Sequence, residues 1–225
     1  MNPKTRLRII WFAFVAHLIS VLFLALALAK GLPPNALPDR LTFISTQPTL
    51  WQIGWFSWMV AAFSLVLYFF LWAEKLPHEN KKWGYLAVAL TIAAVLSDWI
   101  GESLTITIAP RLAALALEGE TFRQLYIIWE NIFLVLTSGL ANLLYTIGGI
   151  ILTYYTVKHP YFPKWLAALN YLLWTAALLL SFAAYLSLTS WIPVISGLTF
   201  ALLLPWFLLM GYGWLLLENL NEPQL

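Results

Sequence analysis

Runs of apolar residues, each about as long as the 20 residues needed to cross a bilayer as a helix, fall near Ile9–Ala29, Gln52–Trp72, Gly84–Ile108, Tyr126–Tyr155, Trp165–Leu188 and Ile192–Leu217. Their length predicts six transmembrane helices. The fourth run is long enough to tilt or to project from the membrane, and splitting it would give seven. The fifth and sixth are joined by a tight turn at Thr189-Ser-Trp-Ile-Pro193. The expected fold class is therefore all-α, a polytopic bundle of six or seven spanning helices forming one integral membrane domain over residues 1–225.

The polar segments between these runs predict the connections. The stretch after the first run carries Pro33, Pro34, Pro38 and Pro48, which reads as a loop with at most a short interfacial helix after Asp39. Pro110 should stop the third helix. Thr121 with Gln124 three residues on is a capping-box spacing that would start the fourth. Trp51, Trp55 and Trp58 share one helical face, and Trp72 and Trp83 flank a loop. All five fit the aromatic belts found at membrane interfaces.

Composition agrees with this reading: 62% of the 225 residues are hydrophobic and 10% are charged, against about 25% charged in a soluble domain. The net charge is +2 with no Lys/Arg-rich block, so nothing points to nucleic acid. Cysteine is absent, which excludes disulfides, thiolate nucleophiles and Cys-ligated metals. The basic start Lys4-Thr-Arg-Leu-Arg8 resembles a signal-peptide n-region, but the apolar run that follows exceeds the about 7–15 residues of a signal h-region. An uncleaved first helix is expected. Eight of the 12 Lys and Arg (Lys4, Arg6, Arg8, Lys75, Lys81, Lys82, Lys158 and Lys164) fall on one side of the six spans. The positive-inside rule then puts both termini in the cytoplasm, in the plasma (inner) membrane.

Three of the ten acids interrupt the apolar runs: Asp98, Glu102 and Glu130. A charge near mid-membrane costs about 2.5–3.5 kcal/mol on insertion scales, so these groups should face the bundle interior. Thr91, Asp98, Glu102 and Thr105 share one helical face. Asn131, Ser138, Asn142, Tyr145 and Gly149 share another, with Glu130 at its border. Two carboxylates one turn apart in low dielectric cannot both carry charge cheaply, so at least one should hold a proton while its neighbour accepts one. Such a pair can perform general acid-base chemistry or couple to protons. The expected catalytic set is Asp98, Glu102 and Glu130, and the expected substrate-binding set is Asn131, Asn142, Tyr145, Asn170 and Trp174. Thr91, Ser138 and Asn142 also suit hydrogen bonding between helices.

His17, near the middle of the first helix, fits an ordinary hydrogen-bonded histidine; no HxxxH, HExxH or ExxH spacing supports a metal, and no cofactor motif is present. No lysine lies inside a span after the first, which removes the attachment residue for retinal. Pro205 should kink the sixth helix, with Gly211 and Gly213 leaving room for a neighbour. Three functions fit these features. The first is an acid-base enzyme of isomerase or cyclase type acting on an apolar, lipid- or isoprenoid-like ligand. The second is a proton-coupled carrier, for which six helices without a repeat are thin unless the chain forms a homo-oligomer. The third is a non-catalytic lipid-binding or scaffold subunit. Membrane lipids are the expected surroundings in each.

Overall fold

The computed structural model describes residues 1–217, which are helical with no strand. The terminal acids Glu218 and Glu222 lie outside the described residues. Among the described residues six helices are long and apolar enough to cross a membrane. They comprise α1 (Pro3–Leu26), α3 (Pro48–Glu74), α4 (Lys81–Thr107), the continuous pair α6 (Glu120–Leu134) and α7 (Asn142–Thr156), α8 (Lys164–Tyr185) and α9 (Ile192–Met210). Two short helices, α2 (Leu37–Thr46) and α5 (Ala109–Glu118), lie at the end of the bundle opposite the amino terminus.

Prolines open helices here because the first turn needs no donor from them. Pro3, Pro48 and Pro193 all stand in first turns, and at α1 the Asn2 carboxamide oxygen caps the Thr5 amide at 2.8 Å. The third span ends at Thr107, just before Pro110 as expected, and Pro110 stands in the first turn of α5. The capping box expected at Thr121 is absent. The helix starts two residues earlier, with Gly119 in place of Thr121 as its N-cap, and Glu120 accepts from Arg123 Nη1 at 3.0 Å and Gln124 Nε2 at 2.7 Å. Gln124 therefore stays on its own helix face.

The fourth span does not split. Seven residues, Val135–Ala141, form a wide π-helical segment that joins α6 to α7 without a break. The continuous helix runs 37 residues, or about 55 Å at 1.5 Å per residue, against a hydrocarbon core of about 30 Å. α5 packs against α6, the first part of this helix, and Arg40 of α2 reaches Glu130 on it. Pro205 lies inside α9, which passes into a second π-helical turn at Gly211–Leu215. There a Cβ on Gly211 would fall 2.7 Å from Ile10, so glycine lets α1 and α9 meet closely.

Two apolar cores follow from this arrangement. One, toward the amino-terminal end, is aromatic: Tyr68, Trp72, Trp206 and Phe207 are completely buried. Its polar edges are satisfied between helices, with Tyr68 donating to the Phe207 carbonyl at 2.8 Å and Trp72 Nε1 to Thr156 Oγ1 at 2.8 Å. The other core caps the opposite end, where Leu41 and Ile44 of α2 and Ala113 and Ala116 of α5 meet Trp51, Trp55 and Phe133. Trp51, Trp55 and Trp72 are thus interior residues, not the interfacial belt expected of them; Trp51 donates to the Thr105 carbonyl at 3.2 Å. Trp83 alone of the five behaves as a belt residue, 39% exposed and stacked on Tyr155.

Candidate functional site

A cavity of about 200 Å³ lies at the seam between the two cores. Trp55, Phe133 and Leu134 close it on one side, and Phe69, Leu173 and Trp174 on the other. Its walls are largely apolar, and into this lining α4 places Asp98 and Glu102. They stand nine and five residues before the end of α4 at Thr107, about 14 and 8 Å from that end at 1.5 Å per residue. One helical turn separates them.

The two carboxyl groups have different partners. Asp98 Oδ2 accepts the Tyr145 hydroxyl from α7 at 2.9 Å. Glu102 is buried, and its Oε2 meets no hydrogen-bond donor or acceptor among the described residues. Burying an isolated carboxylate in this way is far costlier than burying a neutral acid, so the geometry suits one proton held between the two groups, with Tyr145 favouring the acceptor role of Asp98. The indole N–H groups of Trp55 and Trp58, which also line the cavity, are buried without partners among the described residues. Unpaired polar groups on three lining residues of one cavity are a recognisable place for a ligand's polar end, since each otherwise bears its full desolvation cost.

His17 lines the same cavity. Its Nδ1 lies 2.9 Å from the Ala13 carbonyl, an acceptor only, so Nδ1 is the donor of this hydrogen bond. Its ring packs on Phe207 at 4.8 Å, and Ser64 Oγ lies 3.4 Å from Nδ1. Among the described residues no three His, Asp or Glu converge to hold a metal ion.

The structure assembles part of the expected site. Asp98, Glu102, Asn142, Tyr145 and Trp174 share the cavity. Asn142 also ties α7 to α8 through the Ala177 carbonyl and Ser181 Oγ, and Trp174 is fixed by donating to Thr153 Oγ1 at 3.0 Å. Three expected residues lie elsewhere. Glu130 is buried in an ion pair with Arg40 of α2, because α6 carries it to the end of the bundle where α2 supplies the cation. Asn131 is exposed on the outside of the bundle. Asn170 is fully buried and accepts from Trp206 Nε1, bracing α8 against α9 away from the cavity.

Sequence reasoning misses Arg40, Trp55 and Trp58. Nothing in linear spacing links Arg40 to an acid 90 residues away. The three-residue step from Trp55 to Trp58 is visible in the chain, but the same step describes a belt. Thr137, Ser196 and Thr199 also line the cavity and carry no signal beyond being polar in apolar runs. No protein-family model, curated protein or solved structure matches the chain, so the functional reading rests on the residues of this cavity.

Proposed function

We propose that the protein is an intramembrane acid-base enzyme that moves a proton on an apolar, isoprenoid- or lipid-like substrate. The observation that carries this reading is the Asp98–Glu102 pair on the wall of an apolar cavity, one member held by Tyr145 and the other without a partner among the described residues. In the simplest reaction Glu102 gives its proton to a substrate carbon-carbon double bond, leaving a carboxylate and a carbocation. Asp98 then takes a proton from a neighbouring carbon, and a double bond re-forms one position along. The proton returns from Asp98 to Glu102 across one helical turn, so acid, base and atoms balance over the cycle. The indole rings of Trp55 and Trp58 supply π-electrons to the transient positive charge, and the apolar walls disfavour the water that would quench it.

A proton-coupled carrier would need the cavity to open to each side in turn. The buried layer of Tyr68, Trp72, Trp206 and Phe207 fills the bundle toward the amino-terminal end, which supports the enzyme reading over the carrier. The Lys/Arg asymmetry supports placing both termini in the cytoplasm of a plasma (inner) membrane, with the acids in the outer half of the bilayer.

The test does not require the substrate to be identified in advance. Purified protein in nanodiscs is incubated with a total isoprenoid and lipid extract in D₂O, and the extract is then analysed by mass spectrometry. The reading predicts carbon-bound deuterium in a discrete species with the wild type, and none with Glu102→Gln or Asp98→Asn. Absence of label with the wild type, or equal label with both variants, overturns it.

A further inference from the structure

A second space, about 440 Å³, opens between the far halves of α1 and α9. It shares Leu24, Leu32, Leu134, Ile192, Ser196 and Phe200 with the lining of the acid cavity, so the two spaces share a wall. The helices that frame it diverge. At the amino-terminal end they are pinched, with Gly211 against Ile10; at the far end a Cβ on Gly197 would meet nothing within 4 Å. Apart from Thr189 and Ser196 the groove is lined by apolar side chains, proline, alanine and Gly197. Its framing helices also carry Leu26 at 74% and Val194 at 63% exposure, a surface that suits lipid and not water.

We infer that this groove is the lateral gateway through which an elongated amphiphile enters from the leaflet opposite the amino terminus, its polar end reaching Glu102 and its tail remaining between α1 and α9. The inference rests on the acid-base reading for the destination of the polar end, but the route is a separate claim. Size supports an elongated occupant. The acid cavity alone, about 200 Å³, is smaller than the roughly 300–1,000 Å³ of ligand sites, and the adjoining groove brings the space into that range. The polarity gradient supports the orientation, since the unpaired groups of Glu102, Trp55 and Trp58 line the inner chamber and none of these residues lines the groove. Phe200 and Ile192, shared by both linings, stand at the threshold.

Gly197→Trp tests the route, because an indole there fills the groove from a position with open space around it and need not disturb the fold. The probe is an isoprenoid alcohol carrying a diazirine next to its hydroxyl end, in phosphatidylcholine nanodiscs, with crosslinked peptides identified by mass spectrometry. The control is Ile53→Trp, on the exposed face of α3. Wild type and Ile53→Trp should give adducts on cavity residues such as Trp58 and Tyr145, whereas Gly197→Trp should lose them and keep adducts on lipid-facing positions. Glu102→Gln should keep the cavity adducts, so that a failed acid-base reading, seen as missing deuterium, is distinct from a failed route. Cavity adducts that persist in Gly197→Trp, or wild-type adducts confined to the groove, overturn the gateway. A wild type with no adduct in either space overturns it as well.

Discussion

Arg40 and Glu130 lie 90 residues apart in the chain and form a buried ion pair between α2 and α6. Both side chains are about one-tenth exposed, so each charge depends on the other for the solvation it has lost. The pair fastens the short helix α2, and with it the cap at that end of the bundle, to the first part of the fourth span.

Breaking this pair from either side should therefore be costly. Arg40→Met or Glu130→Gln leaves one buried charge without its partner, a loss of about 3–5 kcal/mol by comparison with other buried pairs. The double replacement Arg40→Met with Glu130→Leu removes both charges and should recover most of the melting temperature. Thermal unfolding in detergent checks this. Single variants as stable as wild type would show that the pair does not hold the cap.

The cavity acids should behave in the opposite way. Asp98→Asn and Glu102→Gln keep shape and hydrogen-bonding capacity while removing ionisation, and among the described residues no Lys or Arg side chain lines their cavity to be left unpaired. Each should retain wild-type thermal stability to within about 1 kcal/mol, the scale of a single hydrogen bond, while losing turnover. A marked loss of stability in both, reversed by His17→Ala, would instead identify a histidine-carboxylate brace.

The contrast between these two acid sites shows what is legible in the chain and what is not. Apolar run length determines the six spans, and 3.6-residue periodicity alone puts Asp98 and Glu102 on one face. Periodicity also groups Asn142 with Tyr145 on α7, and both line the cavity. It fails at Glu130 because a helix of 37 residues has no linear mark showing where the membrane ends. The counter-charge sits in a proline-rich segment that reads as a loop with at most a short interfacial helix, and no spacing aims Arg40 at Glu130. Asn131 is misplaced for a related reason, since the π-helical segment Val135–Ala141 shifts the register of the face that groups Asn131 with Asn142. Tryptophan is ambiguous throughout: an indole with an unpaired N–H in a cavity and one at a headgroup look alike in a sequence.

The cavity wall makes a further claim about packing. A Cβ on Gly149 would sit 2.4 Å from the Trp174 ring, so α7 approaches α8 through a position that admits no side chain. Gly149→Ala must displace the indole, breaking its bond to Thr153 Oγ1, and should cost about 1–3 kcal/mol as an overpacked core substitution. Trp174→Phe in the same background should restore part of the loss by shortening the ring. Thermal melts of the wild type and these two variants check this, and an unperturbed Gly149→Ala would place Trp174 elsewhere.

The acid-base reading stands or falls on whether Asp98 and Glu102 hold one proton between them inside the apolar cavity, and infrared spectroscopy of the carboxyl groups reads that proton without intermediaries. At neutral pH, nanodisc-embedded protein should show a carboxylic-acid C=O band that shifts in D₂O, disappears in Glu102→Gln, changes in Asp98→Asn and is untouched by Tyr85→Phe, whose hydroxyl meets the more exposed Glu74. A wild type without that band, or a band of undiminished intensity in both Asp98→Asn and Glu102→Gln, would mean that the shared proton is not there and that the pair is not an acid-base couple.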